Sequence, residues 1–177
     1  VPDIPTQISG FTPRNFDLGY DGAVPASKAL YRSLNIPAVR MLQQYRYERF
    51  YQQLKKFGIS SLKKPADFYG LSMILGGCEV SMWEMGGVYA SMARTLKYYN
   101  RNKGQYNPAD FHAPIYVKTA KEKSKQNLEM VSVVDYGSLW YTFQAMQEVM
   151  RPGEELLWQQ FSSSRKVAWK TGTSFGF

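Results

Sequence analysis

Cysteine and histidine are almost missing from this chain: one of each occurs in 177 residues, at Cys78 and His112. A single cysteine excludes an internal disulfide and a cysteine-based zinc cluster, and a single histidine excludes a multi-histidine metal site. His112 is the one imidazole open to a serine triad, but beside Pro114 at a strand start it reads as structural. Long hydrophobic runs are also lacking. None approaches the roughly 18 residues that a membrane-spanning helix needs, so nothing within these residues is expected to cross a bilayer. Val1-Pro2-Asp3 has neither the basic nor the apolar region of a secretory signal, and any targeting segment is expected outside this stretch.

Acidic residues are scarce beside basic ones: 14 against 22 leave a net charge of +8. Such an excess favours anionic partners, whether nucleic acid, acidic lipid or acidic wall polymer. The densest basic stretch, Lys118, Lys121, Lys123 and Lys125, contains Glu122 and offers no aromatic ring between Thr119 and Leu128 on which a base could stack. It reads as a solvated loop, and no nucleic-acid partner is expected. A hydrophobic share of 44% and a charged share of 20% are ordinary for a globular protein, and the length suits one domain with a real core.

Residues 1–24 hold Pro2, Pro5, Pro13, Gly10, Gly19 and Gly22, a density that predicts an extended lead-in draped over something else. From Pro25 the pattern turns helical, with Ala26, Leu30 and Leu34 at fourth positions and Pro25 suited to a first turn. Because proline disfavours a helical residue before it, Pro37 predicts an extended Ile36, which puts Ser33 and Asn35 at a junction between helices. Ala38, Met41, Leu42 and Tyr45 form one helical stripe; Phe50, Leu54 and Phe57 form another, ended by Gly58 as a left-handed cap. Ser81 and Glu84 make a capping box, behind which Met85, Val88, Tyr89, Met92, Ala93 and Leu96 mark a core face.

Farther along, Ile115 to Val117 and Leu128 to Val134 are β-prone and predict a hairpin or ribbon around the lysine-rich loop. Leu139, Phe143, Met146 and Met150 predict a helix stopped at Pro152-Gly153, then a shorter one through Leu156, Leu157 and Phe161. Val167-Ala168-Trp169 predicts a buried strand. The expected class is α+β, mostly helical.

That strand leads directly into Lys170-Thr171-Gly172-Thr173. Lys-Thr-Gly on a strand, Ser-x-Asn in a helical part and Ser-x-x-Lys opening a helix together define the site of penicillin-binding proteins and serine β-lactamases. Ser33-Leu34-Asn35 supplies the second of these, ahead of Lys-Thr-Gly as the order requires. The stretches Arg32 to Arg40, Tyr69 to Gly77 and Ala168 to Ser174 resemble the bifunctional, class A penicillin-binding proteins, and Phe11 to Asp17 resembles the linker that follows the nucleophile in that family. The likeness spans nearly the whole chain, so residues 1–177 are identified as part of a transpeptidase (penicillin-binding) domain with the lead-in at 1–24.

The resemblance assigns roles only where positions match. Ser33 would relay protons to the leaving amine, Asn35 would hydrogen-bond a substrate amide, and Lys170 would place positive charge near the substrate carboxylate. Thr171 and Thr173 hydroxyls would position that carboxylate, Gly172 would let substrate backbone approach, and the Thr173 amide would be half of an oxyanion hole. No metal or organic cofactor is implied. The implied partners are peptidoglycan stem peptides and β-lactams, the setting is the periplasm or outer face of the cell membrane, and the membrane anchor would lie outside these residues.

One motif is out of place. Ser-x-x-Lys should precede Ser-x-Asn by several tens of residues, and residues 1–32 contain none. The later matches Ser60 to Lys63, Ser61 to Lys64 and Ser163 to Lys166 follow Ser33 in the chain and read as accidental. The lysine-activated serine forms the covalent intermediate, so this stretch by itself is expected to be inactive. Strands before Ser-x-x-Lys and after Lys-Thr-Gly would be absent too. The expected fold is therefore a partial penicillin-binding-protein or β-lactamase-like one with an incomplete sheet and exposed edges, unless another chain completes it. A serine β-lactamase-like hydrolase and a non-catalytic wall-binding module remain the competing readings.

Overall fold

A computed structural model describes residues 1–116, 127–149 and 167–172. Two units divide the chain, one from Val1–Gln44 with Tyr141–Phe177 and the other from Tyr45–Trp140. Helices predominate and the sheet is small, an arrangement compatible with the α+β class.

In the first unit the lead-in closes on itself. Strand β1 (Pro2–Asp3) pairs antiparallel with β2 (Gly22–Ala23), Pro2 opposite Ala23 and Asp3 opposite Gly22. Between them the prolines remove amide donors and the backbone stays irregular. Helix α1 (Ala26–Tyr31) follows, with Pro25 as its N-cap, one position ahead of the expected first turn. Lys28 on α1 and Arg32 at its C-cap pair with Asp21, and Arg32 also reaches Asp17 at 3.6 Å, fastening the helix to the lead-in at the surface.

Helix α2 runs over Asn35–Tyr45 and corrects two expectations. Ile36 is helical, not extended: Pro37 falls in the first turn, where no intrahelical amide bond is lost, and full burial holds Ile36 there. Once Ile36 joins the helix, its inward face becomes Ile36, Pro37, Val39 and Leu42, while Met41 and Tyr45 of the expected stripe stay partly exposed.

In the second unit, α3 (Tyr47–Lys56) ends where Gly58 was expected to end it. Gly58 has φ +94°, its amide donates to Lys55 O at 3.0 Å, and the amide of Ile59 donates to Leu54 O at 3.1 Å. That double bond pattern is a Schellman motif, and Ile59 carries its apolar contact inward. Helix α4 (Ala66–Tyr69) and a 3-10 helix over Gly70–Leu75 continue the core of Tyr51, Ile59, Leu62, Tyr69, Met73 and Val88.

Helix α5 (Met82–Tyr98) starts at the predicted Ser81/Glu84 capping box, but a different face is buried. Gly87, Val88, Ser91 and Thr95 point inward, Met92 packs partly on the core, and Met85 and Tyr89 are exposed by 40% and 37%. The inward hydroxyls of Ser91 and Thr95 donate to the carbonyls of Gly87 and Ser91, so polar residues enter the core with their bonds made within the helix.

The expected ribbon between residues 115–117 and 128–134 is not formed among the described residues: Glu129 bridges Tyr106 instead, and no strand covers residues 128–134. Val117 and the four lysines of the basic loop lie outside the described residues. Helix α6 (Tyr136–Met146) ends before Met150, which is itself outside the described residues together with Pro152, Gly153, Leu156, Leu157 and Phe161. Residues 167–169 form no β-ladder among the described residues; the Trp169 amide instead donates to Met146 O at the end of α6, 3.3 Å away.

Candidate functional site

The loop between α1 and α2 repeats the geometry at Gly58 with a serine in glycine's place. The amide of Ser33 donates to Leu30 O at 3.1 Å, and that of Leu34 to Ala29 O at 2.9 Å, again the Schellman pair. Leu34 and Ala29 supply its apolar contact in a small cluster with Val24. Ser33 sits at φ +56°, a left-handed conformation in which a side chain costs about 1–2 kcal/mol. Such strain gathers where the surroundings over-determine a functional conformation. Here it turns the hydroxyl outward from a tight junction.

Lys170 meets that hydroxyl from 137 residues away, donating from Nζ to Ser33 Oγ in a very short contact. The same Nζ donates to Thr171 O at 3.0 Å and to Thr171 Oγ1 at 3.3 Å, while Ser33 Oγ and Thr171 Oγ1 share a bond of 2.9 Å. Amine and two hydroxyls thus form a closed triangle. Burial holds the Lys170 ammonium below the ordinary lysine value, and among the described residues no carboxylate pairs with it. A half-desolvated amine against a hydroxyl can attract an anion or pass a proton along the hydroxyls.

Asn35 opens α2 two residues after Ser33, but its hydrogen bonds run to the lead-in: Nδ2 donates to Arg14 O at 2.8 Å, and its amide to Asn15 Oδ1 at 3.0 Å. Gly172 is exposed beside Thr171, and Thr173 lies outside the described residues. The structure therefore brings Ser33, Lys170 and Thr171 into contact and holds Asn35 on the neighbouring turn through Arg14 and Asn15. Neither of the last two was singled out from the sequence, although both lie in the stretch Phe11 to Asp17.

Other candidate groups are engaged elsewhere. Ser60 and Ser61 give both hydroxyls and both amides to the Glu84 carboxylate, which also accepts from Ser81. Oxygens used in this way serve as a clasp between a loop and the start of α5. His112 bonds the Ala113 carbonyl through its ring Nδ1 at 2.7 Å, and Ser91 Oγ meets only its backbone, so the lone imidazole activates no serine there. Ser163 and Lys166 lie outside the described residues.

Comparison with known proteins adds a whole-chain likeness. Penicillin-binding protein 1C of Escherichia coli (strain K12) is 29% identical over 177 residues, all of this chain and 20% of that protein. Penicillin-binding protein 1B of Vibrio cholerae is 27% identical over 168 residues, 94% of this chain and 20% of its own length. Penicillin-binding protein 1F of Bacillus subtilis is 28% identical over 145 residues, 81% of this chain and 18% of its own. No family model matches the chain. The chain spans about one fifth of the length of these relatives, and its similarity to class A penicillin-binding proteins extends well past the short motifs that first suggested it.

Proposed function

We propose that this chain is a section of the transpeptidase domain of a peptidoglycan-synthesising penicillin-binding protein, comprising residues 1–177 with a lead-in at 1–24. In this reading the fold is part of the penicillin-binding-protein and β-lactamase-like architecture with an incomplete sheet. The observation that carries it is the Lys170–Ser33–Thr171 triangle, which joins Lys-Thr-Gly to Ser-x-Asn across 137 residues. Similarity to penicillin-binding proteins along the whole chain supports the same assignment.

The parent reaction is transfer of a stem-peptide acyl group from a terminal D-alanine to an amine on a neighbouring strand. Its acyl-serine forms on a Ser-x-x-Lys serine that these residues do not contain at the expected place. Ser33 passes a proton to the departing amine, and Lys170 holds the polarity of that hydroxyl and draws the substrate carboxylate. Thr171 and Thr173 orient the carboxylate, Gly172 admits the substrate backbone, and Asn35 bonds a substrate amide. β-Lactams occupy the same cleft. The work is placed on the extracytoplasmic side of the membrane, with the anchor outside these residues; the helices described here are none of them long and apolar enough to cross a membrane.

Fluorescent penicillin followed by a denaturing gel tests the reading. A longer protein that includes this chain and a Ser-x-x-Lys segment is expected to carry a covalent band, weakened about a hundredfold by Lys170→Ala or Ser33→Ala. The 177-residue chain alone is expected to remain dark. A band on the short chain, or labelling of the long one that ignores both substitutions, overturns the proposal. Reversible retention on peptidoglycan without labelling points to a non-catalytic wall-binding module instead.

A further inference from the structure

Among the described residues of the first unit, the Asn15 side chain makes five hydrogen-bond contacts, and the proposed transpeptidase chemistry gives it no part. It is 3% exposed. Its Nδ2 donates to both oxygens of Asp3, at 2.8 and 3.0 Å, and to Gly19 O at 2.9 Å. Its Oδ1 accepts from the amides of Asn35 at 3.0 Å and Ile36 at 3.3 Å. Those are the first two amides of α2, which no residue within the helix can satisfy. Helices are ordinarily capped by the residue just ahead of them, which here is Leu34, buried and without a polar side chain. A side chain twenty residues upstream does the capping instead.

We propose that Asn15 is a positioning residue: a remote N-cap that sets the start of α2 and thereby the placement of Asn35 beside Ser33. Only a side-chain amide offers an acceptor on one edge and two protons on the other. The surroundings need both, with two amide donors facing Oδ1 and a carboxylate and a carbonyl facing Nδ2. Asp3 is fully buried and anchors the arrangement from β1, its Oδ2 also accepting from the Asp21 amide at 2.9 Å. The bond from Asn35 Nδ2 to Arg14 O adds a second tie on the neighbouring lead-in residue. The lead-in therefore works as a splint, holding the Ser-x-Asn turn in a position the strained Ser33 would otherwise leave.

This inference rests on the transpeptidase reading, and its test separates the two. In the longer protein, second-order labelling by fluorescent penicillin is measured for Asn15→Ala, Asn35→Ala and the pair. If Asn15 acts through Asn35, each single change slows labelling about tenfold, and the pair is no slower than Asn35→Ala alone. Losses that multiply to about a hundredfold overturn the proposal. Should Asn15→Ala fail to fold, Asn15→Asp keeps the acceptor while setting a second carboxylate against Asp3. Its melting temperature is expected to fall while labelling per folded molecule holds within about threefold, and a parallel loss of both overturns the proposal. If even the unaltered protein takes no label, the transpeptidase reading fails, and amide hydrogen exchange decides the capping role. Faster exchange in Asn15→Ala at Asn35 and Ile36 with Val39 unchanged sustains the splint; unchanged exchange at the first two removes it.

Discussion

Ser33 and Gly58 occupy the same step of the same helix-ending motif, at φ +56° and +94°, yet only one of them is the residue that conformation favours. The difference is a hydroxyl, and the hydroxyl is what Lys170 and Thr171 contact. Ser33→Gly is expected to raise stability by up to about 1 kcal/mol in thermal unfolding, whereas Ser33→Ala, which keeps the strained Cβ, brings no gain. A glycine variant that melts below the alanine variant would show that Ser33 carries no backbone strain. For Lys170, burial favours the neutral amine, so its titration midpoint belongs below the ordinary lysine value of 10.5. NMR of isotope-labelled lysine side chains reads that midpoint directly, and a Lys170 signal titrating with the rest would remove the desolvated site.

Among the elements, α5 shows how one carboxylate ties a loop to a helix. Glu84 closes the capping box with Ser81 and at the same time accepts from Ser60 and Ser61, and these hydrogen bonds hold its carboxyl well below the usual value of 4.5. A depressed folded value means that the stabilisation is complete above about pH 4.5 and drains away as pH falls through the folded value. Glu84→Gln is accordingly expected to lower the melting temperature at pH 7, with the gap to the unaltered protein beginning to narrow only as pH falls below about 4.5. A gap constant across that range would show that the charge takes no part in the clasp. The end of α3 makes a simpler case: Gly58→Ala puts a Cβ at a left-handed position and should cost about 1–2 kcal/mol in denaturant melts. No loss would mean that the helix can end some other way.

At the scale of the whole molecule, a net charge of +8 favours anionic partners in general, and the proposed function would make the relevant one an acidic wall polymer. Cosedimentation with peptidoglycan carrying acidic polymer is expected to fall steeply as salt rises from about 0.1 M to about 1 M, because screening shortens from about 10 to about 3 Å. Retention insensitive to salt would assign the interaction to specific contacts and leave the surface charge without a part.

What the sequence determined by itself is local or compositional. The Ser81/Glu84 box, the Gly58 terminus, the helix junction at Ser33 and Asn35 and the Lys-Thr-Gly stretch were all legible, because caps, turns and short motifs are set by residues a few positions apart. The tertiary structure decided the rest. Ile36 is helical and not extended because Pro37 falls in the first turn and Ile36 is fully buried, while its amide finds an acceptor in Asn15, far upstream. Helix α5 buries Gly87, Ser91 and Thr95 instead of Met85 and Tyr89, and the Trp169 amide donates to Met146 O at the end of α6, with no ladder at residues 167–169 among the described residues. Periodicity offers several adjacent faces of nearly equal merit, and the choice among them belongs to atoms remote in the chain that compete for the same surface and the same hydrogen bonds.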